Sequence, residues 1–218
     1  MGVVAGHVVF DLDGVVVDSE PTHERANTEW LAGLGTALAP GLAEAMMGRR
    51  VRDLTDVIAW QAGLGPDEAF AGREAVFWRM LGEQALPPMP GLHAALARLA
   101  GAGLPLAVAS SGTRTYVEHV LERLGVVGAF AAVVSGEEVA NGKPAPDVYL
   151  LAAERLGAEP ADCVAVEDAP HGIAAARAAG MRVVAISHAR TEALDLSRAD
   201  VVVADLEAAA AWILGSPR

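Results

Sequence analysis

Short apolar runs alternate along this chain with longer stretches in which apolar residues recur every three or four positions. The runs read as buried strands and the longer stretches as amphipathic helices. Strands are predicted over 3–10, 104–110, 131–135, 163–166, 182–186 and 201–203, and helices over 92–102, 115–124, 148–156, 172–179 and 207–214. Continuous apolar strands joined by helices are the pattern of a parallel sheet covered on both faces. The fold class is therefore α/β. Gly103 and Gly180 stand where two of these helices should stop.

One interval breaks the alternation. From about 18 to 86 the chain offers helices, clearest over 25–34, 51–61 and 67–81, and no convincing strand. Leu86-Pro87-Pro88-Met89-Pro90-Gly91 closes the interval like a linker. The expected organisation is a discontinuous core, 1–17 with 88–218, carrying a helical domain over 18–87. Ligands of open α/β sheets bind beyond the carboxyl ends of the strands, so the insert would cover that site as a lid. Within it, Trp30, Trp60 and Trp78 read as exposed side chains that mark an interface or as packing between its helices.

Composition narrows the classes. Of 218 residues, 53% are hydrophobic and 20% charged, enough for a substantial core and unlike a disordered chain. No apolar run reaches the ~20 residues of a membrane span. The first residues lack a basic region and Asp11 interrupts the apolar stretch, which argues against a signal peptide. Cys163, the single cysteine, lies in an apolar run and is expected to be a buried, inert thiol. A cytoplasmic protein is the expectation. The net charge of −12 disfavours nucleic acid and anionic membrane as partners. A small phosphorylated ligand remains compatible if cations gather locally. The oligomeric state is open, a monomer included. Sixteen residues are basic, and only Lys143 among them is lysine.

The chemistry begins where the first strand ends, at Phe10-Asp11-Leu12-Asp13-Gly14. Side chains two apart on a strand share a face, so both carboxylates would face one spot, and Gly14 would let the chain turn away. Two like charges held that close call for a cation or a shared proton. A calcium loop would need further oxygen ligands, and Val15-Val16-Val17 follows instead. Other strand ends carry chemistry too. The second ends in Ser110-Ser111-Gly112-Thr113, readable as a phosphate cradle or as a helix cap. Lys143 follows the third in a Gly/Pro-rich loop, where an ammonium can neutralise a phosphoryl oxygen and a nucleophile together. Glu167-Asp168 ends the fourth and supplies carboxylates for a hard cation. The set describes metal-assisted phosphoryl transfer.

Over essentially its whole length the chain resembles the haloacid dehalogenase superfamily, in the β-phosphoglucomutase and sugar-phosphatase branch. Asp11-Leu12-Asp13-Gly14-Val15 with Asp18-Ser19-Glu20, Ser110, Lys143 and Glu167-Asp168-Ala169 carry its four motifs. The resemblance implies a Rossmann-like parallel sheet core with an inserted α-helical cap domain. It implies that Asp11 attacks phosphorus to form an aspartyl-phosphate, and that Asp13 protonates the leaving alcohol and then activates water. It implies Mg²⁺ on the Asp11 carboxylate, the Asp13 carbonyl and Asp168, with Glu167 a direct or water-mediated ligand. Ser110 and the N–H groups of Leu12 and Ser111 would hold phosphoryl oxygens, and Lys143 would neutralise phosphate and nucleophile.

The cap would read the substrate through His23, Gly48, Arg49 and Arg50, with Arg73 facing the same cleft. The cap has no lysine, which excludes the Schiff-base chemistry of phosphonate-cleaving relatives. Asp13 and Asp168 argue against dehalogenation. The expected activity is Mg²⁺-dependent hydrolysis of small phosphorylated metabolites such as sugar or polyol phosphates. The alternatives are a β-phosphoglucomutase-type mutase, with Arg73 in place of its cap lysine, and a catalytically idle binding protein.

Overall fold

A computed structural model describes residues 6–39, 41–83 and 85–215, so positions 3–5 of the first expected strand lie outside the described residues. The strands are β1 (His7–Phe10), β2 (Leu106–Ala109), β3 (Ala132–Val134), β4 (Cys163–Glu167), β5 (Arg182–Ile186) and β6 (Val201–Val203). They form one sheet in the order β3-β2-β1-β4-β5-β6, and every pairing is parallel. Chain progression runs outward from β1 in one direction through β2 and β3. It then restarts at β4 on the other side, so the carboxyl ends of β1, β2 and β4 frame the crevice where such sheets bind ligands.

Helices α1 (Glu20–Gly33), α2 (Leu42–Met46), α3 (Val51–Ala62) and α4 (Pro66–Glu83) form the insert. The sheet is covered by α5 (Leu92–Gly101), α6 (Arg114–Arg123), α7 (Asp147–Leu156), α8 (Pro170–Ala178) and α9 (Leu206–Ile213). Helix α1 starts earlier than its periodicity predicts because Pro21 suits a first turn. The five-residue α2 is too short to give a periodic signal and was not expected.

Strand alternation sorts the core into two layers. Val8, Phe10, Val108, Val166 and Val184 pack with α5, α6 and α9, whereas Val9, Ala107, Ala165 and Val183 pack with α7 and α8. Both faces are covered, which is why the strands read as unbroken apolar runs. A third cluster, Trp30, Leu31, Leu54, Ile58, Ala59 and Ala69, belongs to the insert alone. Ala26, Phe77, Met80 and Leu81 join α1 and α4 to the first core layer.

The tryptophans correct an expectation of exposure. Trp30 is buried against α3 and α4, its indole beside Gly72, where the missing side chain leaves room. Trp78 is partly covered by Phe77 and His119. Only Trp60 of the three stands fully in solvent, 85% exposed. Among the described residues no helix is long and apolar enough to cross a membrane.

Candidate active site

Strand β1 ends at Phe10, so Asp11 and Asp13 lie just beyond it rather than on one extended face as the spacing suggested. The Leu12 carbonyl accepts from the N–H groups of Val15, Val16 and Val17, which curls the chain into a tight loop. Gly14 makes that loop with φ +76°, and a Cβ there would stand 2.0 Å from Asp168 Oδ2. A side chain there would displace the Asp168 carboxylate and strain the backbone. Both acids border the same cavity but have separate partners.

Asp11 belongs to a buried carboxylate group with Glu167 and Asp168, whose oxygens lie within 4.8 Å of one another. Lys143 Nζ donates to Asp11 Oδ1 and to Glu167 Oε1, each at 2.7 Å. Tyr149 donates to the same Glu167 oxygen at 2.6 Å, and the N–H groups of Asp168 and Ala169 serve Oε2. His188 Nε2 lies 3.1 Å from Asp168 Oδ2. Burial first, and then the charge of Glu167, pushes Asp11 and Asp168 well above the ordinary carboxylate range. Burial opposes the Lys143 charge, but Asp11 and Glu167 outweigh it and hold the ammonium. Three carboxylates against one cation leave the group short of positive charge. An all-oxygen, buried, crowded donor set of this kind fits a hard divalent ion.

Asp13 is arranged differently. Ser19 Oγ and Tyr116 Oη both donate to its Oδ1, the latter at 2.5 Å. His23 Nε2 stands 3.8 Å from the same oxygen. Burial pushes the carboxyl up, yet His23, Ser19 and Tyr116 together hold it below its usual value. Arg73 orients the imidazole, its Nη2 lying 2.6 Å from His23 Nδ1. A guanidinium only donates, so Nδ1 is the acceptor and the ring proton sits on Nε2, toward Asp13. Arg73 is 1% exposed, spans Asn27 and Glu74 with its other nitrogens, and lies over the Phe77 ring on which His23 stacks.

Above these groups is a cavity of about 660 Å³. Asp11, Asp13, Asp168 and Ser111 form its core side, and His23, Gly48, Arg49, Arg50 and Arg73 its insert side. Ser110 is buried and its hydroxyl accepts from the Gly112 N–H at 2.9 Å. The helix cap is Thr113, whose hydroxyl accepts from Tyr116 N–H at the start of α6. Ser111 reaches the insert instead, donating to the Gly48 carbonyl at 2.9 Å. Arg49 contacts His171, and Arg50 pairs with Asp53 at 3.3 Å while lying along Gly142. Sequence reasoning missed Tyr116, Tyr149, His171 and His188. One signal was available for two of them: Tyr116 and Tyr149 are the only tyrosines in the chain.

The family model of the haloacid dehalogenase-like hydrolases matches residues 6–180. The chain belongs to this family. Hexitol phosphatase A of Escherichia coli is 34% identical over 199 residues, covering 91% of this chain and 90% of that protein. Fructose-1-phosphate phosphatase YqaB of Escherichia coli is 35% identical over 179 residues, covering 81% and 94%. Among solved structures, CbbY from Rhodobacter sphaeroides in complex with phosphate superposes with a TM-score of 0.82 at 25% identity, covering 93% and 95%. The sheet core with an inserted helical cap is thus the fold of this hydrolase family.

Proposed function

We propose that this hydrolase is a Mg²⁺-dependent phosphomonoesterase acting on small sugar or polyol phosphates through an aspartyl-phosphate on Asp11. The observation that carries the reading is the division of labour between two acids two residues apart. Asp11 stands against Lys143 and the carboxylate group, and Asp13 against His23, Ser19 and Tyr116. The hexitol and fructose-1-phosphate phosphatases among its relatives support the substrate class.

Asp11 and Asp168 would hold the ion with the Asp13 carbonyl. Both oxygens of Glu167 are engaged by Lys143, Tyr149 and backbone N–H groups, so we assign it the outer, water-mediated place. When bound, Mg²⁺ supplies positive charge that lets an anionic carboxylate meet an anionic phosphate. The Asp11 carboxylate forms a bond to phosphorus as the bond to the ester oxygen breaks, and Asp13 delivers its proton to that oxygen. A phosphate dianion arriving beside Asp13 raises its proton affinity, which readies it for the first step. Without the ester, its three partners favour the carboxylate, the form that takes a proton from water in the second. Lys143, Ser110 and the N–H groups of Leu12 and Ser111 neutralise and hold the phosphoryl oxygens.

The cap comprises 18–87 and the core 1–17 with 88–218. Two linkers cross between them side by side: Asp18 N–H donates to the Pro87 carbonyl and Met89 N–H to the Val16 carbonyl, both at 3.0 Å. His23, Gly48, Arg49 and Arg50 meet the alcohol portion of the substrate. The second reading is a phosphosugar mutase, in which Arg73, with Nη2 2.6 Å from His23 Nδ1, would have to replace a cap lysine, a departure that weakens it.

The test is phosphate release from a panel of sugar, polyol and nucleotide monophosphates, in Mg²⁺ and in EDTA, with Asp11→Asn as blank. Release that needs the metal and Asp11, with a phosphorylated Asp11 peptide after acid quench, is expected. Conversion of β-glucose 1-phosphate to glucose 6-phosphate without net release would replace the phosphatase by the mutase.

A further inference from the structure

Among the described residues, three polar contacts join the 46–50 loop of the insert to the core, and two of them end on one side chain, His171. His171 stands on the first turn of α8, three residues after Asp168. Its Nδ1 lies 3.1 Å from the Met47 carbonyl and its Nε2 3.2 Å from Arg49 Nε. A carbonyl can only accept, so Nδ1 carries the ring proton. Nε2 then offers its lone pair to the Arg49 N–H. The neutral ring reads both contacts at once, and no other protonation state does.

The loop is seated tightly around these contacts. Gly48 adopts φ +77°, and a Cβ there would stand 3.0 Å from the Ala169 methyl and 3.7 Å from His171 Cβ. Nε lies in the plane of the guanidinium, so pinning it fixes how Arg49 presents itself to the cavity it lines. A free arginine side chain keeps several rotatable bonds and loses entropy when it meets a ligand. One held beforehand binds at lower cost.

We propose that His171 is a positioning residue for the hydrolase reaction. It holds the Arg49 guanidinium ready for the alcohol portion of the phosphate ester while anchoring the cap loop through Met47. The inference rests on the phosphatase reading, with Arg49 as a substrate contact. It adds a core residue to what had been a cap-only determinant.

Steady-state kinetics on the best ester of the panel, with His171→Ala, His171→Gln and His171→Asn, test it. Glutamine places an acceptor near the Nε2 position and restores the Arg49 contact alone. Asparagine places a donor near the Nδ1 position and restores the Met47 contact alone. His171→Ala should raise KM about tenfold, the size of one hydrogen bond to a charged group, with kcat within about twofold. His171→Gln should recover most of that affinity, and His171→Asn should not. In an Arg49→Ala background, His171→Ala should leave KM where Arg49→Ala already put it.

Unchanged KM in His171→Ala, equal rescue by asparagine, or a full His171 effect without Arg49 would each overturn the proposal while the wild type still turns over. A wild type that releases no phosphate from any ester would overturn the phosphatase reading itself, and this inference with it.

Discussion

Lys143→Met is the perturbation that probes the site most directly. The ammonium makes two buried 2.7 Å contacts, to Asp11 and Glu167, and its side chain is 1% exposed. At an effective dielectric near 20, each contact corresponds to about 6 kcal/mol of Coulomb attraction, and much of the sum is returned by desolvating the ammonium. Removing one partner of a buried pair leaves the other uncompensated, at a net cost of about 3–5 kcal/mol. Methionine fills the volume, so little of the loss comes from a cavity. Urea unfolding of wild type and variant in EDTA gives the difference.

The pH dependence of that difference follows from the shifts. Lys143 is raised above its ordinary 10.5, so its contribution is fully present below that value and stays constant through neutral pH. Asp11 and Asp168 are raised by burial and by Glu167, so the native state holds more protons than the unfolded chain above the ordinary 3.8. Their ionisation lowers stability as pH rises through the raised values. Without the ammonium this loss deepens and extends upward, so the variant falls further behind at about pH 8 than at about pH 5. Mg²⁺ should narrow the gap by supplying the missing charge. A cost below about 1 kcal/mol in EDTA, or one that does not grow with pH, would refute a carboxylate group compensated by Lys143.

Tyr116→Phe removes a donor to Asp13, so the acid limb of the kcat profile should move up by about one pH unit, from a bond of about 1.5 kcal/mol; an unmoved limb would detach Tyr116 from the acid. Glu138 is pushed up by burial but held at about 2 by Arg155, the Ser135 N–H and Arg114. Its contribution is therefore present above 4.5 and lost as pH falls through about 2. Glu138→Gln should cost about 1 kcal/mol at neutral pH, since the pairs are partly solvated, with the difference vanishing in acid denaturation at low pH. Cys163 is buried, and burial raises its thiol to about 11, so a thiol reagent at neutral pH should label it only as fast as the protein opens. Labelling of the native protein at the rate of a free thiol would place that strand end in solvent.

Local signals carried much of this protein. The unbroken apolar runs required strands covered on both faces, and the strands from Arg182–Ile186 and Val201–Val203 fall where they were expected. The Asp11, Ser110, Lys143 and Glu167-Asp168 positions were legible because each ends or follows a strand, and parallel strands bring all such ends to one edge. Lys143 stood out further because every other basic residue is arginine.

Tertiary structure decided what no local pattern contains. That Asp11 joins Glu167 while Asp13 joins Tyr116 depends on sequence separations of 156 and 103 residues, which only packing closes. Tyr149, His188 and His171 lie on helices or loops whose own sequence would be equally satisfied by solvent. Their importance comes from the carboxylates and the carbonyl that the fold sets opposite them. Trp30 shows the same limit from the apolar side, since the space it fills exists only where Gly72 of another helix faces it. Backbone propensity and apolar periodicity act over a few residues and are written in the chain. Charge compensation and cavity shape act across space, and arise only once the chain has folded.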